Sequence, residues 1–154
     1  MRCVVQRVSR AEVRVAGVVT GRVADGLLVL AAFAPDDDEA TLRWMAAKLP
    51  ALRVFGDDEG RLNRSLRETG GGLLLVSQFT LYGDCRRGHR PGFTGSAPPE
   101  RARGLYAQFA DLLRAQGPVV GEGIFGAMMD VELVNAGPVT LIVDRDARAP
   151  QETP

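Results

Sequence analysis

Four consecutive apolar residues, Leu73, Leu74, Leu75 and Val76, restrict the folds open to this 154-residue chain more than any other stretch. An unbroken run of this kind suits a strand buried on both faces. The run breaks abruptly into Ser77, Gln78 and Thr80, three uncharged hydrogen-bonding side chains interleaved with Phe79 and Leu81. Polar groups at the end of a buried strand need partners or a ligand, because an unpaired one costs about 1–3 kcal/mol. Neighbouring backbone can satisfy such an end, so the stretch alone fits a structural reading as well as a functional one.

The flanking sequence fills in a sheet around that strand. Residues 2–8, 12–15 and 18–23 are β-branched and alternating, with Ala16–Gly17 as the turn of a hairpin, and residues 27–33 read as another buried strand. Pro35 and the acids Asp36, Asp37, Asp38 and Glu39 open a helix whose apolar positions Leu42, Met45, Ala46 and Leu49 recur at helical spacing. Pro50 ends or loosens it. Residues 52–55 and 63–65 suggest short extended segments, and the glycines at 70–72 hinge into the apolar run. Residues 83–99 form an irregular loop rich in glycine and proline that carries Arg86, Arg87, His89 and Arg90. Pro98, Pro99 and Glu100 open a second helix with Leu105, Tyr106, Phe109, Leu112 and Leu113 on one face. Strands at 119–120, 128–134 and 139–143 close the chain, the last two separated by a turn at Gly137–Pro138. The expectation is an α+β fold with two main helices and a mostly antiparallel or mixed sheet. One domain should span residues 1–145, with 146–154 a disordered tail.

Composition narrows the function. Formal net charge is zero and Lys48 is the single lysine, so any nucleic-acid contact must come from a local arginine patch. Cys3 and Cys85 are the only cysteines and lack CxxC spacing, which argues against a disulfide framework or structural zinc and fits a reducing cytoplasm. There is no signal-peptide core, and no apolar run approaches membrane-spanning length, so no membrane partner is expected. His89 is the only histidine, which leaves few conventional bases for a triad and no metal-ligand cluster. Cys85 and His89 lie four apart, but in a Gly/Pro-rich loop that spacing fixes no nucleophilic geometry. A second polar group, Asn135, Gly137, Pro138 and Thr140, lies between strand signals. Its Gly–Pro bond is by default a turn; in the cis form it would re-aim carbonyls that can line a pocket without any side chain.

Six segments together resemble the D-aminoacyl-tRNA deacylase family: VVQRVSRAEV at 4–13, TG and ADGLLVL within 20–30, DDDE at 36–39, SQFTLYGD at 77–84, RRGHRPGF at 86–93 and VELVNAGPVT at 131–140. They run in family order and cover nearly all of the chain to Val143. Gly92 stands where serine is expected after the Arg–Pro pair and Gly83 where alanine is common, both in loop sequence.

The resemblance implies a barrel-like member of that fold that hydrolyses the ester of D-aminoacyl-tRNA, and of glycine mischarged on tRNA, in translation quality control. It implies a homodimer, with each Gly137–Pro138 element, cis, entering the partner's pocket as the filter against L-esters. The catalytic group would be Ser77, Gln78, Phe79 and Thr80, with Arg7, Asn135 and Thr140 in support and no metal or cofactor. Thr80 lacks an activating base nearby in sequence. The expected mechanism is therefore main-chain N–H stabilisation of the oxyanion around Phe79 and Thr80, with Gln78 orienting the substrate and the ribose 2′-hydroxyl assisting water. Arg86, Arg87 and Arg90 are candidate tRNA phosphate contacts. The residues leave open that Arg7 is a surface arginine and the basic loop simply solvated. They also leave open a non-catalytic tRNA-binding domain, or a small-ester hydrolase using Cys85.

Overall fold

A computed structural model describes residues 1–147, so most of the tail expected at 146–154 lies outside the described residues. Arg145, the last residue assigned to the domain, is held by its N–H to the Met1 carbonyl at 2.9 Å.

β1 (Arg2–Val15) is one long strand rather than two, and it organises the sheet. Its second half pairs antiparallel with β2 (Val18–Val23) across the Ala16–Gly17 turn, where both residues take positive φ. Its first half pairs antiparallel with β3 (Gly26–Ala32), matching Val5 to Val29 and Arg7 to Leu27. The chain then crosses over through α1 (Glu39–Ala51), β4 (Arg53–Gly56), β5 (Leu62–Ser65) and α2 (Leu66–Thr69). That length of crossover lets β6 (Gly72–Ser77) return parallel to β3. After α3 (Pro99–Arg114), β7 (Val120–Glu122) adds parallel to β6, and β8 (Asp130–Asp144) lies antiparallel along the whole outer edge of β1. The sheet is mixed and nearly closes on itself. A Cβ at Gly21 of β2 would sit 2.5 Å from the Glu122 carbonyl oxygen of β7, an approach only glycine permits.

The apolar run behaves as its pattern requires. Leu73 and Leu75 join the core beneath α1 and α3, with Leu27, Val29, Leu42, Met45, Leu49, Phe109 and Leu113. Leu74 and Val76 point the other way, into a second cluster with Val8, Ala11, Val13 and Leu28. All four side chains of the run are at most 1% exposed, each contributing on the order of 1.5–3 kcal/mol of burial.

Three local departures from the sequence expectation have identifiable causes. Pro50 sits within the last turn of α1 and is buried instead of ending it earlier. The extended segment expected at 63–65 is β5, but the short helix α2 after it carried no expectation. Ser65 and Glu68 form a capping box there, and Gly70 closes it in the left-handed region, so S-x-x-E before glycine was the available signal. Residues 130–144 form one strand: the Gly137–Pro138 element is a break in its register, not a turn between two strands.

At the start of α1, Asp38 accepts from the backbone N–H and hydroxyl of Thr41, both at 2.8 Å. These bonds, the backbone one first, hold its carboxyl below the ordinary 3.8. Because the folded value is depressed, this stabilisation is complete above the unfolded pKa and disappears as pH falls through the folded one. Asp38→Ala should lower stability by about 1 kcal/mol at neutral pH, read from chemical denaturation, with the difference vanishing in acid.

Candidate active site

Beyond Ser77 the chain leaves the sheet as a 3-10 turn, Phe79–Tyr82. The polar end of the run is therefore not a strand edge. The Gln78 N–H donates to the Ala31 carbonyl at 2.8 Å, which ties the exit to β3. Phe79 and Thr80 are the first two residues of the turn, so their N–H groups have no partner within it. Among the described residues neither donates to another backbone or side-chain acceptor. The Thr80 hydroxyl accepts from the Gln78 amide, which is a donor and no base.

Ser77, Gln78, Phe79 and Thr80 all line one cavity of about 850 Å³, within the roughly 300–1,000 Å³ of small-molecule sites. Its other walls come from the end of β3 (Ala31, Ala32), from Phe33, from Phe93 and the N-terminal residues of α3, and from a segment holding Phe125, Met128 and Met129. No Asp, Glu, Lys, Arg, His, Cys or Tyr is among the lining residues. Phe79 is 56% exposed and meets Phe93 edge-on, ring centroids 5.1 Å apart, so the rim is aromatic. Met128 is 92% exposed at the same rim. Met128 and Met129 were expected in a strand at 128–134, but β8 begins only at Asp130 and leaves them, with Phe125, to the cavity wall.

The second motif lies elsewhere on the same chain. Opposite Arg7 of β1, Gln6 pairs with Thr140 and Val8 with Asn135, so four residues of β8, 136–139, face one of β1. They loop outward. Gly137 and Pro138 are exposed, joined by a cis peptide bond, and Gly137 has φ +138. Asn135 closes the base of the loop: its amide donates to Thr140 Oγ1 at 2.9 Å and its carbonyl oxygen accepts from Val139 N–H at 2.9 Å. Arg7 is half-buried beneath, donating from Nε to the Ala136 carbonyl at 2.8 Å and from Nη1 to the Val54 carbonyl of β4 at 2.5 Å. Arg7, Asn135 and Thr140 are thus grouped with Gly137 and Pro138. None of the five lines the cavity that holds residues 77–80.

The basic loop is pinned at its stem by paired backbone bonds between Asp84 and Gly92, 2.7 and 3.0 Å. Within it Arg86 is engaged: Nε and Nη2 reach the two Asp84 carboxyl oxygens at 2.8 and 2.6 Å. That side-chain fork, then the Arg86 backbone N–H, holds the Asp84 carboxyl below its ordinary value. Arg87 and Arg90 are exposed. Cys85 is an exposed free thiol on a different cavity, with Arg2, Tyr82 and Thr94, and no hydrogen bond links it to His89 among the described residues. The described residues also contain no group of three His, Cys, Asp or Glu placed to hold a metal, and no helix long and apolar enough to cross a membrane.

Comparison with known proteins shows the family of the chain. The family model described as D-Tyr-tRNA(Tyr) deacylase matches residues 4–144. The chain is 58% identical over 144 residues to the D-aminoacyl-tRNA deacylase of Deinococcus radiodurans, covering 94% of this chain and 99% of the relative. It is 57% identical over 145 residues to that of Chlorobaculum parvum, covering 94% and 97%. Among solved structures, the c-Myc DNA unwinding element binding protein superposes with TM-score 0.90 at 37% identity, over 96% of this chain and 100% of that one. A probable eukaryotic D-amino acid tRNA deacylase shares the fold, TM-score 0.78 at 22% identity, over 94% of this chain and 98% of that one. A cavity built on the SQFT turn and an outward NAGPVT loop, in a chain matched nearly end to end, mark this protein as a member of the D-aminoacyl-tRNA deacylase family.

Proposed function

We propose that the protein hydrolyses the ester between a D-amino acid, or glycine, and the terminal adenosine of tRNA. The observation that carries this reading is the uncharged cavity beside two main-chain N–H groups, those of Phe79 and Thr80, that have no partner among the described residues. An ester carbonyl placed there gains its negative charge next to fixed donors, the arrangement that most lowers an acyl-transfer barrier. No nucleophile–base pair lines the cavity, so water attacks with help from the substrate's own 2′-hydroxyl, and Gln78 orients the ester. No cofactor is required.

The outward loop supports a second subunit in the reaction. Gly137 and Pro138 lie outside their own chain's cavity, so a filter made of their carbonyls acts on the cavity of another copy. The edge strand β8 offers apolar surface for that contact: Val134, Leu141 and Ile142 are 37, 38 and 67% exposed. Charged with an L-amino acid, the substrate would drive its side chain into those rigid carbonyls, whereas a D-side chain points away. Arg87 and Arg90 supply phosphate contacts beyond the aromatic rim, Arg86 being held by Asp84.

Release of tyrosine from D-tyrosyl-tRNA and from L-tyrosyl-tRNA tests the reading. Equal rates, or no release from the D-ester, would sink it, and salt-dependent tRNA binding without turnover would favour a plain tRNA-binding domain. Thr80→Ala separates mechanisms. With its hydroxyl only accepting from Gln78, the variant should keep kcat within about tenfold; loss of 10³-fold or more with an intact melting profile would restore Thr80 as nucleophile.

A further inference from the structure

A tRNA ester presents a phosphodiester immediately before its terminal nucleoside, yet the cavity that would receive that nucleoside holds no charged side chain. The charge that recognises this phosphate must stand at the cavity wall. Several arginines of α3 and the basic loop are committed. Arg86 is paired with Asp84, Arg101 of α3 donates to the Asp37 carbonyl at 2.8 Å, and Arg114 of α3 pairs with Asp111 and Glu122.

Arg103 of α3 is different. Its guanidinium carbon lies 5.0 Å from the centroid of Phe125, a residue of the cavity wall. Phe125 is itself held by Tyr106, ring centroids 5.7 Å apart. Tyr106 is buried, and its hydroxyl donates to the Leu75 carbonyl at 3.1 Å, inside the apolar run. Burial pushes that phenol up to about 12, so it stays a neutral donor. The stack therefore runs from the core strand to the surface and ends on a cation. A guanidinium held over an aromatic face keeps N–H donors in its own plane for an anion. Among the described residues no carboxylate forms an ion pair with Arg103; Glu100, one turn earlier on α3, does not reach it. Its Nη2 lies against Gly126 of the same wall, where a Cβ would stand 3.6 Å away in ordinary contact.

We propose that Arg103 binds the phosphodiester preceding the terminal nucleoside, and so makes the enzyme prefer tRNA-linked esters over short aminoacyl-nucleosides. This rests on the deacylase reading above. It adds a specificity residue on a wall separate from the basic loop, and one whose position is fixed by aromatic packing instead of by a loop.

The test compares two D-tyrosyl esters, full-length D-tyrosyl-tRNA and D-tyrosyl-adenosine, which lacks the phosphodiester. For Arg103→Gln, the ratio of kcat/KM on tRNA to kcat/KM on the adenosine ester should fall about tenfold, through KM. The slope of log kcat/KM against log salt on tRNA should become shallower by about 0.7–1, one phosphate contact. Arg103→Lys should recover part of the ratio and most of the salt slope, since it keeps charge and loses the planar stack. An unchanged ratio and slope overturns the proposal, as does an equal loss on both esters, which would mean only a damaged wall. If the wild type hydrolyses neither ester, the deacylase reading fails and takes the proposal with it. An active wild type with an indifferent Arg103→Gln refutes the proposal alone.

Discussion

Phe79→Pro is expected to lower kcat on a D-aminoacyl ester by about 10²–10³-fold, the usual loss for one oxyanion donor. Proline deletes the Phe79 N–H, which is unpartnered among the described residues and opens the 3-10 turn beside the cavity. The local backbone tolerates the change. The first position of a helical turn suits proline, and Gln78, at φ −146 and ψ 72, already lies outside the helical region that a residue before proline avoids. Phe79→Ala is the control, because it removes the ring and its contact with Phe93 but keeps the N–H. The alanine variant should lose less than about tenfold, mostly in KM, as expected for a contact made equally in ground and transition states. If both variants lose activity equally while both melt like the wild type, the ring matters and the N–H does not. Electrostatic catalysis at this turn would then be wrong.

Gly137→Ala should reduce the ratio of D-ester to L-ester hydrolysis by about 10²-fold, the size of effect that a 1 Å misplacement produces in a positioned site. A Cβ there would stand 2.6 Å from Arg7 Nη2 and 2.9 Å from Val139 Cγ2, at a φ of +138 that side chains rarely adopt. The loop must shift, at a cost of about 1–3 kcal/mol in stability. Should the variant fold poorly, Arg7→Lys asks the same question. An ammonium cannot hold the Ala136 and Val54 carbonyls in the fixed fork of a guanidinium, so the loop loosens without a clash. Unchanged D/L ratios in both variants would remove Gly137–Pro138 from selectivity and leave it a structural kink in β8.

Much of this was legible from residues alone, for physical reasons. The Leu73 to Val76 run has to be interior because nothing in it tolerates water. Ala16–Gly17 between alternating runs specifies a hairpin, and the two amphipathic helices carry 3.6-residue spacing. Membership of the family rested on two polar motifs read together. Other features depend on distance, which a single sequence does not encode. Whether residues 77–80 and 137–138 meet within one chain is a matter of where β6 ends and where the register of β8 breaks; residues 77–80 line one cavity and Gly137 another. Asp84, two residues before Arg86, engages it because the loop stem brings carboxylate and guanidinium into a fork, and spacing alone does not fix that. Phe125 and Arg103 carried no motif, since an arginine on a helix and a phenylalanine in a loop are ordinary until they stack. The SQFT turn was misread as a strand end for a related reason: Phe79 and Leu81 alternate with polar residues as a strand would, yet the turn is too short for periodicity to tell helix from strand.

Among the described residues no Asp, Glu, Lys, Arg, His, Cys or Tyr lines the cavity, and this has a consequence for how turnover responds to acidity. An enzyme working through main-chain donors brings no proton donor or acceptor of its own to the bond being cut. On the deacylase reading, its rate profile across neutral pH then traces the titration of its guest's α-ammonium. The protein's share of the chemistry is a fixed shape and a fixed field, with the proton passed from the attacking water to the leaving ribose oxygen.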